Sequence, residues 1–257
     1  MGDSNRTSLY YGEEVTWGTL ATCTFQGLRF TGESFAYNIT NVTSAEIRSD
    51  RQITDLIQSD ADTSGGFNFE FSYDSFNDLL EGALWSDWST AVAILSLGIS
   101  FFSSGTLVAS GATVGSTDFS LCTLGQWIEI RGSTNTTNNG YFQITSVAST
   151  HAIVVTPAPE TKATGDPIAI GGAYLRNGTI EHSYSVIRSH AGLATGQYFT
   201  FLGQTVNTFN LAAQAGAILT GSFDFMGKTG SLAQNSATAL AATAAGTTVV
   251  LLPLQHY

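Results

Sequence analysis

Two short fragments occur twice in this chain, in the same order, and this duplication constrains the fold most. The first covers residues 30–39 and returns in weaker form at residues 201–211, and the second covers residues 66–71 and returns at residues 221–226. Between matching glycines the interval is 34 positions in the first copy and 18 in the second. We therefore expect a body of two related β-rich halves, with a long loop between the paired strands of the first copy alone.

Alternation of apolar and polar residues predicts half-buried strands at four places. These are residues 34–39, 67–73, 179–186 and 222–225. In the first of them, Phe35, Tyr37 and Ile39 are predicted to face the core. All four segments share one design, with aromatic or aliphatic residues inside and small or acidic residues outside.

Residues 74–84 predict a short amphipathic helix that packs on the sheet. Acidic residues near its start suit the positive end of a helix. Phe76, Leu79, Leu80 and Leu84 recur at helical spacing, so one side of the helix is apolar. The expected fold class is therefore all-β with a short helix.

Residues 93–171 differ in their residue pattern from the sequence on either side. They contain short β-rich runs separated by Gly and Asn turns, a pattern typical of a compact β-barrel or sandwich. The runs are residues 105–108, 126–130, 141–147 and 151–155. We therefore predict a small inserted β-domain at residues 93–171, within a discontinuous body of residues 1–92 and 172–257.

Charge narrows the class of partners. The net charge is −11, and residues 1–92 hold 14 of the 20 acidic residues but 4 of the 9 basic ones. Nucleic-acid binding depends on Lys and Arg that displace counterions, so a chain of this charge is not built to grip nucleic acid. A surface of the same sign as phosphate would repel it instead.

Cysteine usage and hydropathy point to a soluble protein made in a cytosol. Cys23 and Cys122 lie far apart without companion ligands, so neither a zinc site nor a disulfide framework is indicated, and buried free thiols are expected. The first residues lack the apolar core of a signal peptide. The longest apolar run, residues 91–102, is too short to span a membrane.

The sequence offers no convincing catalytic, cofactor or metal site. Its four His residues lie in different segments, and no nucleophile or phosphate-binding motif occurs. The acids at Asp50, Asp55, Asp60 and Asp62 allow a calcium site, but their spacing is not that of an EF-hand and favours a solvated acidic loop. Glu70 with Glu181 remains open as a hydrolytic carboxylate pair, without a supporting set of Trp and Asn residues.

Several segments in the expected order make the chain resemble the tail tube (major tail) proteins of bacteriophages with long, non-contractile tails. In the first half these are residues 31–34, 43–53, 66–73 and 75–80, and in the second half residues 183–187, 197–207 and 219–228. Together they span more than half of the chain. The residues from Ser231 onward match none of the family's motifs.

The resemblance implies a tail-tube-type β-sandwich or barrel of two related halves, with the inserted β-domain on the tube exterior. Such subunits form hexameric rings, and stacked rings make a tube whose acidic lumen conducts DNA to the host during genome ejection. The candidates for facing the lumen are Asn68, Glu70, Ser72, Thr179, Glu181, Ser222 and Asp224. The candidates for bridging rings lie in the expected loop of residues 44–64, and are Arg48, Asp50, Arg51, Asp55, Asp60 and Asp62.

The implied partners are further copies of the chain, the tape-measure protein and DNA in the lumen, and tail-terminator and baseplate proteins at the tube ends. The implied location is the phage virion, after synthesis in the bacterial cytoplasm, with no membrane insertion and no enzymatic activity. Three alternatives stay open: a virion decoration or receptor-binding β-protein, a tail-terminator or distal-tail protein of the same fold, and a virion enzyme that degrades polysaccharide.

Overall fold

The computed structural model describes residues 7–44, 56–96, 98–109, 119–162, 168–190, 197–234 and 242–243. The chain divides into two compact units, residues 1–86 with 178–257 and residues 87–177. The boundary positions expected from the sequence, Val92 and Gly172, are register partners in a strand pair of the second unit. That unit therefore begins before residue 92 and extends past residue 172.

The described residues are nearly all β, with one α-helix, which confirms the all-β prediction. In chain order the elements are β1 (Ser8–Glu13), β2 (Phe25–Gly27), β3 (Gly32–Glu33), β4 (Ala36–Thr43), β5 (Leu56–Glu70), α1 (Asn77–Leu84), β6 (Val92–Ser96), β7 (Ile99–Phe101), β8 (Thr106–Ala109), β9 (Trp127–Arg131), a 3-10 turn (Thr136–Asn138), β10 (Gly140–Ser149), β11 (Ala152–Thr156), β12 (Ile168–Gly172), β13 (Tyr184–His190), β14 (Gln197–Ala212), β15 (Thr220–Gly227), β16 (Thr229–Gln234) and β17 (Ala242–Thr243).

The first unit contains one curled sheet in the order β17-β2-β1-β13-β14-β15-β5-β3. Strand β4 also pairs with β5, and β16 also pairs with β14. All of these pairings are antiparallel except that of β17 with β2. Strand β14 has three partners, because its first half pairs with β13 on one edge and β16 on the other, and its second half pairs with β15.

Both copies of the duplicated fragments lie in long antiparallel hairpins. In the first copy β3 and β4 pair with β5, and in the second β14 pairs with β15. The two second fragments are neighbours in the sheet, with Phe67 opposite Phe223 and Asn68 opposite Ser222. The loop expected at residues 44–64 is wrong over its last nine positions, because Leu56 begins β5; residues 45–55 lie outside the described residues.

An aromatic cluster forms the core of the first unit. Phe67, Phe69, Phe223 and Phe225 are buried on one face of β5 and β15, as the alternation predicts. Phe76 and Leu79 of the predicted helix pack on this face, and the rings of Phe69 and Phe76 lie 4.5 Å apart between centroids. Close packing of such rings contributes beyond the area that they bury.

Two expectations about the strand faces are wrong. Tyr37 and Ile39 were expected to be buried beside Phe35, but 39% and 51% of their surfaces are exposed. Ser183 and Ser185 were expected to face outwards, but both are buried. The reason is Glu14, a buried carboxylate that accepts hydrogen bonds from both hydroxyls and from the backbone N–H groups of Gly18 and Gly203. A buried charge requires such partners.

Asp78 ties the helix to strands β1 and β13. The Tyr11 hydroxyl donates to Asp78 Oδ2 at 3.1 Å, and the Tyr184 hydroxyl donates to the Asp78 backbone oxygen. Burial raises the pKa of both tyrosines above the ordinary value near 10, and the Asp78 charge adds to the shift. Both hydroxyls therefore stay protonated in the folded unit.

The second unit is a seven-stranded antiparallel sheet in the order β6-β12-β9-β10-β11-β8-β7. Its core is mainly aliphatic, with Ile128, Ile130, Ile153 and Leu107 fully buried, and it includes Phe101 and Phe119. The cysteine prediction holds in part, because Cys122 is buried here but Cys23 of the first unit is exposed. Among the described residues, no helix has the length and hydropathy needed to cross a bilayer.

Candidate functional site

Four of the predicted polar residues share one face of the sheet in the first unit. Asn68 and Glu70 lie on β5, and Ser222 and Asp224 lie on β15, on the side opposite the aromatic cluster. Asn68 is directly opposite Ser222, and the Asn210 amide donates to the Ser222 hydroxyl at 3.4 Å. We call Asn68, Glu70, Ser222 and Asp224 the polar face. The helix packs on the other side, against the aromatic cluster.

The three remaining candidates for this surface lie elsewhere. Ser72 is buried, and its hydroxyl donates to Ser75 Oγ at 2.7 Å, so it does not contribute to an exposed surface of this unit. Thr179 and Glu181 are exposed, but they precede β13 in a segment without strand structure. The strand predicted to begin at residue 179 thus begins at Tyr184.

The polar face is acidic, and the strands that form it supply no positive charge to balance it. Strands β5, β14 and β15 contain no Lys or Arg, whereas Glu70 and Asp224 contribute two carboxylates. Glu70 also lines a cavity of about 480 Å³ whose wall includes Arg29. Asp224 is therefore the cleaner probe of the charge on this face.

A two-stranded arm leaves the body of the first unit. It consists of residues 38–43 of β4 and 56–62 of β5, and all of these except Ala61 are exposed. Strand β15 pairs with β5 from Thr63 onward, so within the described ranges neither outer edge of the arm has a paired strand. Backbone groups along both edges are therefore open to another strand.

The arm is apolar as well as exposed. Ile39, Val42, Leu56 and Ile57 have between 51% and 62% of their surface exposed. Val42 lies directly opposite Ile57, so the two form a cross-strand apolar pair that faces solvent in the single subunit. Strand β4 carries no charged residue along its eight positions. The sequence held a signal for this exposed apolar arm. A strand pattern with β-branched residues is as compatible with an interface as with a core.

The predicted bridging residues divide between the arm and the undescribed sequence. Asp60 and Asp62 lie on the arm and are exposed, and Asp62 accepts a hydrogen bond from the Asn38 amide at 2.9 Å. Arg48, Asp50, Arg51 and Asp55 lie outside the described residues. Among described positions, no group of three or more His, Cys, Asp or Glu residues could hold a metal ion.

The second unit has a groove that the sequence patterns did not single out. It runs along β12, has a volume of about 660 Å³, and is lined on one side by Trp127, Glu129, Arg131 and Tyr141 and on the other by Leu95. Trp127, Tyr141 and Leu95 are 55%, 66% and 78% exposed. The available signal was that β9 and β10 alternate buried aliphatic residues with large outward residues rather than with small polar ones.

Comparison with known proteins connects the chain to a family. The sequence family described as phage tail tube protein matches residues 4–256, which is nearly the whole chain. No curated protein matches the chain significantly.

Proposed function

Because the chain belongs to the phage tail tube protein family, it has a structural role in the tail tube, and we propose how its surfaces carry out that role. In this proposal the subunits form hexameric rings, the rings stack, and the polar face lines the channel through which DNA leaves the virion. The observation that carries the proposal is that one unit combines an acidic sheet face, on strands without Lys or Arg, with an arm that is exposed on both faces and both edges.

The polar face suits a channel for DNA. Its carboxylates carry the same sign as phosphate, and like charges closer than a Debye length of about 8 Å repel each other. The side chains of Ser222 and Asn68 can hydrogen-bond to water, and they add no cation that would hold the DNA backbone. DNA would therefore slide along this surface rather than bind to it.

The arm suits a contact between subunits. An isolated two-stranded hairpin is marginally stable in water, and this one also exposes four large aliphatic side chains. Docking on a neighbouring subunit would bury those side chains and pair the open edges. A contact between different patches of identical subunits can close into a ring or continue as an open stack, which is the geometry that a tube of rings requires.

Assembly is tested by placing a charge on the arm. In Ile57→Asp the carboxylate would be buried at the contact, so we expect the purified protein to give no stacked rings or tubes by negative-stain electron microscopy at concentrations where the unchanged protein does. The matched control is Leu124→Asp, at an exposed apolar position of the second unit, which should still form tubes. Tubes from Ile57→Asp, or a closed trimer from the unchanged protein, would contradict the proposal.

The lumen assignment is tested by reversing the charge of the polar face. Glu70→Lys with Asp224→Lys should leave tubes assembled and slow genome ejection, because the phosphate backbone would then meet cations. Virions carrying Glu181→Lys provide the comparison, since this carboxylate lies in the segment before β13. Equal ejection kinetics in the double variant and the unchanged virion would exclude the polar face as the channel wall.

The same proposal includes the remaining partners. A channel of this kind would contain the tape-measure protein before DNA passes, and its two ends would contact tail-terminator and baseplate proteins. A location in the phage tail, with synthesis of the subunit in the bacterial cytoplasm, follows from that role. The inserted unit, residues 87–177, would lie on the exterior of the tube, where it would not obstruct the channel.

A further inference from the structure

We propose that the groove on the second unit binds a neutral carbohydrate, a chain of hexopyranose sugars, with Trp127 and Tyr141 as stacking platforms. This site is separate from the surfaces assigned to assembly and does not depend on them. It rests on the shape of the groove, on the pairing of its charges and on the exposure of its aromatic rings.

The strand register builds the groove as a trough two strand spacings wide. Ala169 of β12 lies between Leu95 of β6 and Arg131 of β9, and Gly171 lies between Ala93 and Glu129. The small residues of β12 form the floor, and the larger side chains on either side form the walls. Two inter-strand spacings give a width of about 10 Å, which accommodates a sugar ring and its hydroxyls.

The aromatic wall presents two rings on neighbouring strands. Trp127 lies opposite Gln143, and Tyr141 lies opposite Glu129, so the two rings are diagonal neighbours on one face of β9 and β10. Both rings are more than half exposed, whereas Ile128 and Phe142, which follow them in sequence and lie on the opposite face, are buried in the core. The apolar C–H face of a pyranose ring packs on such an aromatic face, whose centre carries partial negative charge.

The polar groups of this wall pair with one another. Arg131 Nη2 lies 2.6 Å from Glu129 Oε2. The carboxylate and a hydrogen bond with the Tyr141 hydroxyl both raise the pKa of Arg131 above its ordinary value. A planar guanidinium and a carboxylate held side by side offer adjacent donors and acceptors, which match the vicinal hydroxyls of a sugar.

Other occupants fit these observations less well. Strand β12 is paired on both edges, with β6 and β9, so a peptide could not add as a further strand over the floor. The guanidinium is already neutralised by Glu129, so an anionic ligand gains little charge attraction. Residues 87–177 hold five acidic and three basic residues, so this unit lacks the excess of Lys and Arg that nucleic-acid binding needs. A ligand with flat apolar faces, hydroxyl edges and no net charge satisfies both walls.

The test measures binding of four neutral hexaoses to the full-length protein by saturation-transfer NMR and calorimetry. The probes are maltohexaose, cellohexaose, laminarihexaose and fully N-acetylated chitohexaose, and hexagalacturonate serves as the acidic counterpart. We expect at least one neutral hexaose to bind, with affinity lowered about tenfold by Trp127→Ala and largely retained by Trp127→Phe, which keeps an aromatic face. Phe102→Ala, at an exposed aromatic position outside the groove, should leave binding unchanged.

Three results would overturn the proposal. One is the absence of binding by all four neutral hexaoses at millimolar concentration. Another is binding that Trp127→Ala leaves unchanged, or a preference for hexagalacturonate. The third is a change in sedimentation of Trp127→Ala without any effect on sugar binding, which would make the groove a contact between copies of the chain. Tube formation is measured separately, so failure of either proposal can be distinguished from failure of the other.

Discussion

The two ends of strand β5 have similar apolar content and opposite surroundings. Residues 63–70 pair with β15 on one edge and with β3 and β4 on the other. Phe67 and Phe69 are almost completely buried. Residues 56–62 pair with β4 alone among the described strands, and Leu56 and Ile57 are more than half exposed. One strand therefore belongs to a core at one end and to a solvent-exposed surface at the other. Burial here depends on how many neighbours a residue has, and not on its own hydrophobicity.

The sharpest way to test this contrast is to truncate a ring in the paired end. Phe69→Ala removes a side chain that contacts Phe76 and Phe223 and leaves a cavity. We expect the free energy of unfolding to fall by about 3–5 kcal/mol, measured by denaturant unfolding of the dissociated subunit. A loss below 1 kcal/mol would mean that the aromatic cluster is not the core of this unit.

A second test concerns the close approach of β5 to β15. A Cβ atom on Gly66 would lie 2.0 Å from the Phe223 carbonyl oxygen, so the strands would have to separate. Gly66→Ala should lower the free energy of unfolding by about 1–3 kcal/mol. Gly32→Ala is the matched control, because its Cβ would lie 3.7 Å from the Asn68 amide nitrogen. Equal effects of the two substitutions would argue against the register of β5 and β15.

A third test uses alkaline pH to examine the tie between helix and sheet. Burial raises the folded-state pKa of Tyr11 above the unfolded value near 10, so its contribution to stability is complete below pH 10 and falls as the pH rises further. Tyr11→Phe should cost about 1 kcal/mol at pH 8 through the lost hydrogen bond to Asp78. It should also make the loss of stability between pH 9.5 and about 11.5 shallower.

The readout is the unfolding free energy across that pH range. Tyr37→Phe is the control, because Tyr37 is 39% exposed at the base of the arm. An unchanged slope in Tyr11→Phe would show that this hydroxyl does not contribute to the alkaline loss of stability.

The smallest effect on stability is expected in the arm. Ile57→Ala removes an exposed side chain from a segment without a buried face, so the free energy of unfolding of the single subunit should change by less than about 0.5 kcal/mol. The same substitution should raise the protein concentration needed to form tubes, measured by sedimentation. A large loss of subunit stability would show that the arm packs on its own body.

The sequence predicted what local patterns decide. Alternation placed Phe67, Phe69, Phe223 and Phe225 in the core, and helical spacing found α1, because these residues meet neighbours on the same or the adjacent hairpin. The duplication also found the two hairpins. The polar face was predicted by the same alternation for Asn68, Glu70, Ser222 and Asp224, since every second residue of a strand shares a face.

The rest depends on partners that are distant along the chain. The alternation predicts Ser183 and Ser185 on the surface. Instead, both hydroxyls donate to Glu14, which lies about 170 positions away in sequence, and form a buried polar network with it. Tyr37 and Ile39 continue the alternation of Phe35. They pair with β5 at and beyond Thr63, where the pairing of β15 with β5 ends, and both are exposed. A period-two pattern gives the face of a residue but not whether anything lies against that face. The sequence patterns did not predict the groove beside Trp127 for the same reason.

The open edge of β4 limits how long the subunit can safely remain alone. This strand lacks the Lys and Pro residues that commonly block edge pairing, and its one irregularity is a register shift at Thr40 and Asn41. The rate of mispairing between free subunits rises with their concentration, whereas a subunit already docked presents no edge. If the arm docks as proposed, production of the subunit would have to match its consumption at the growing end of the tube, and an excess made before assembly starts would be open to aggregation.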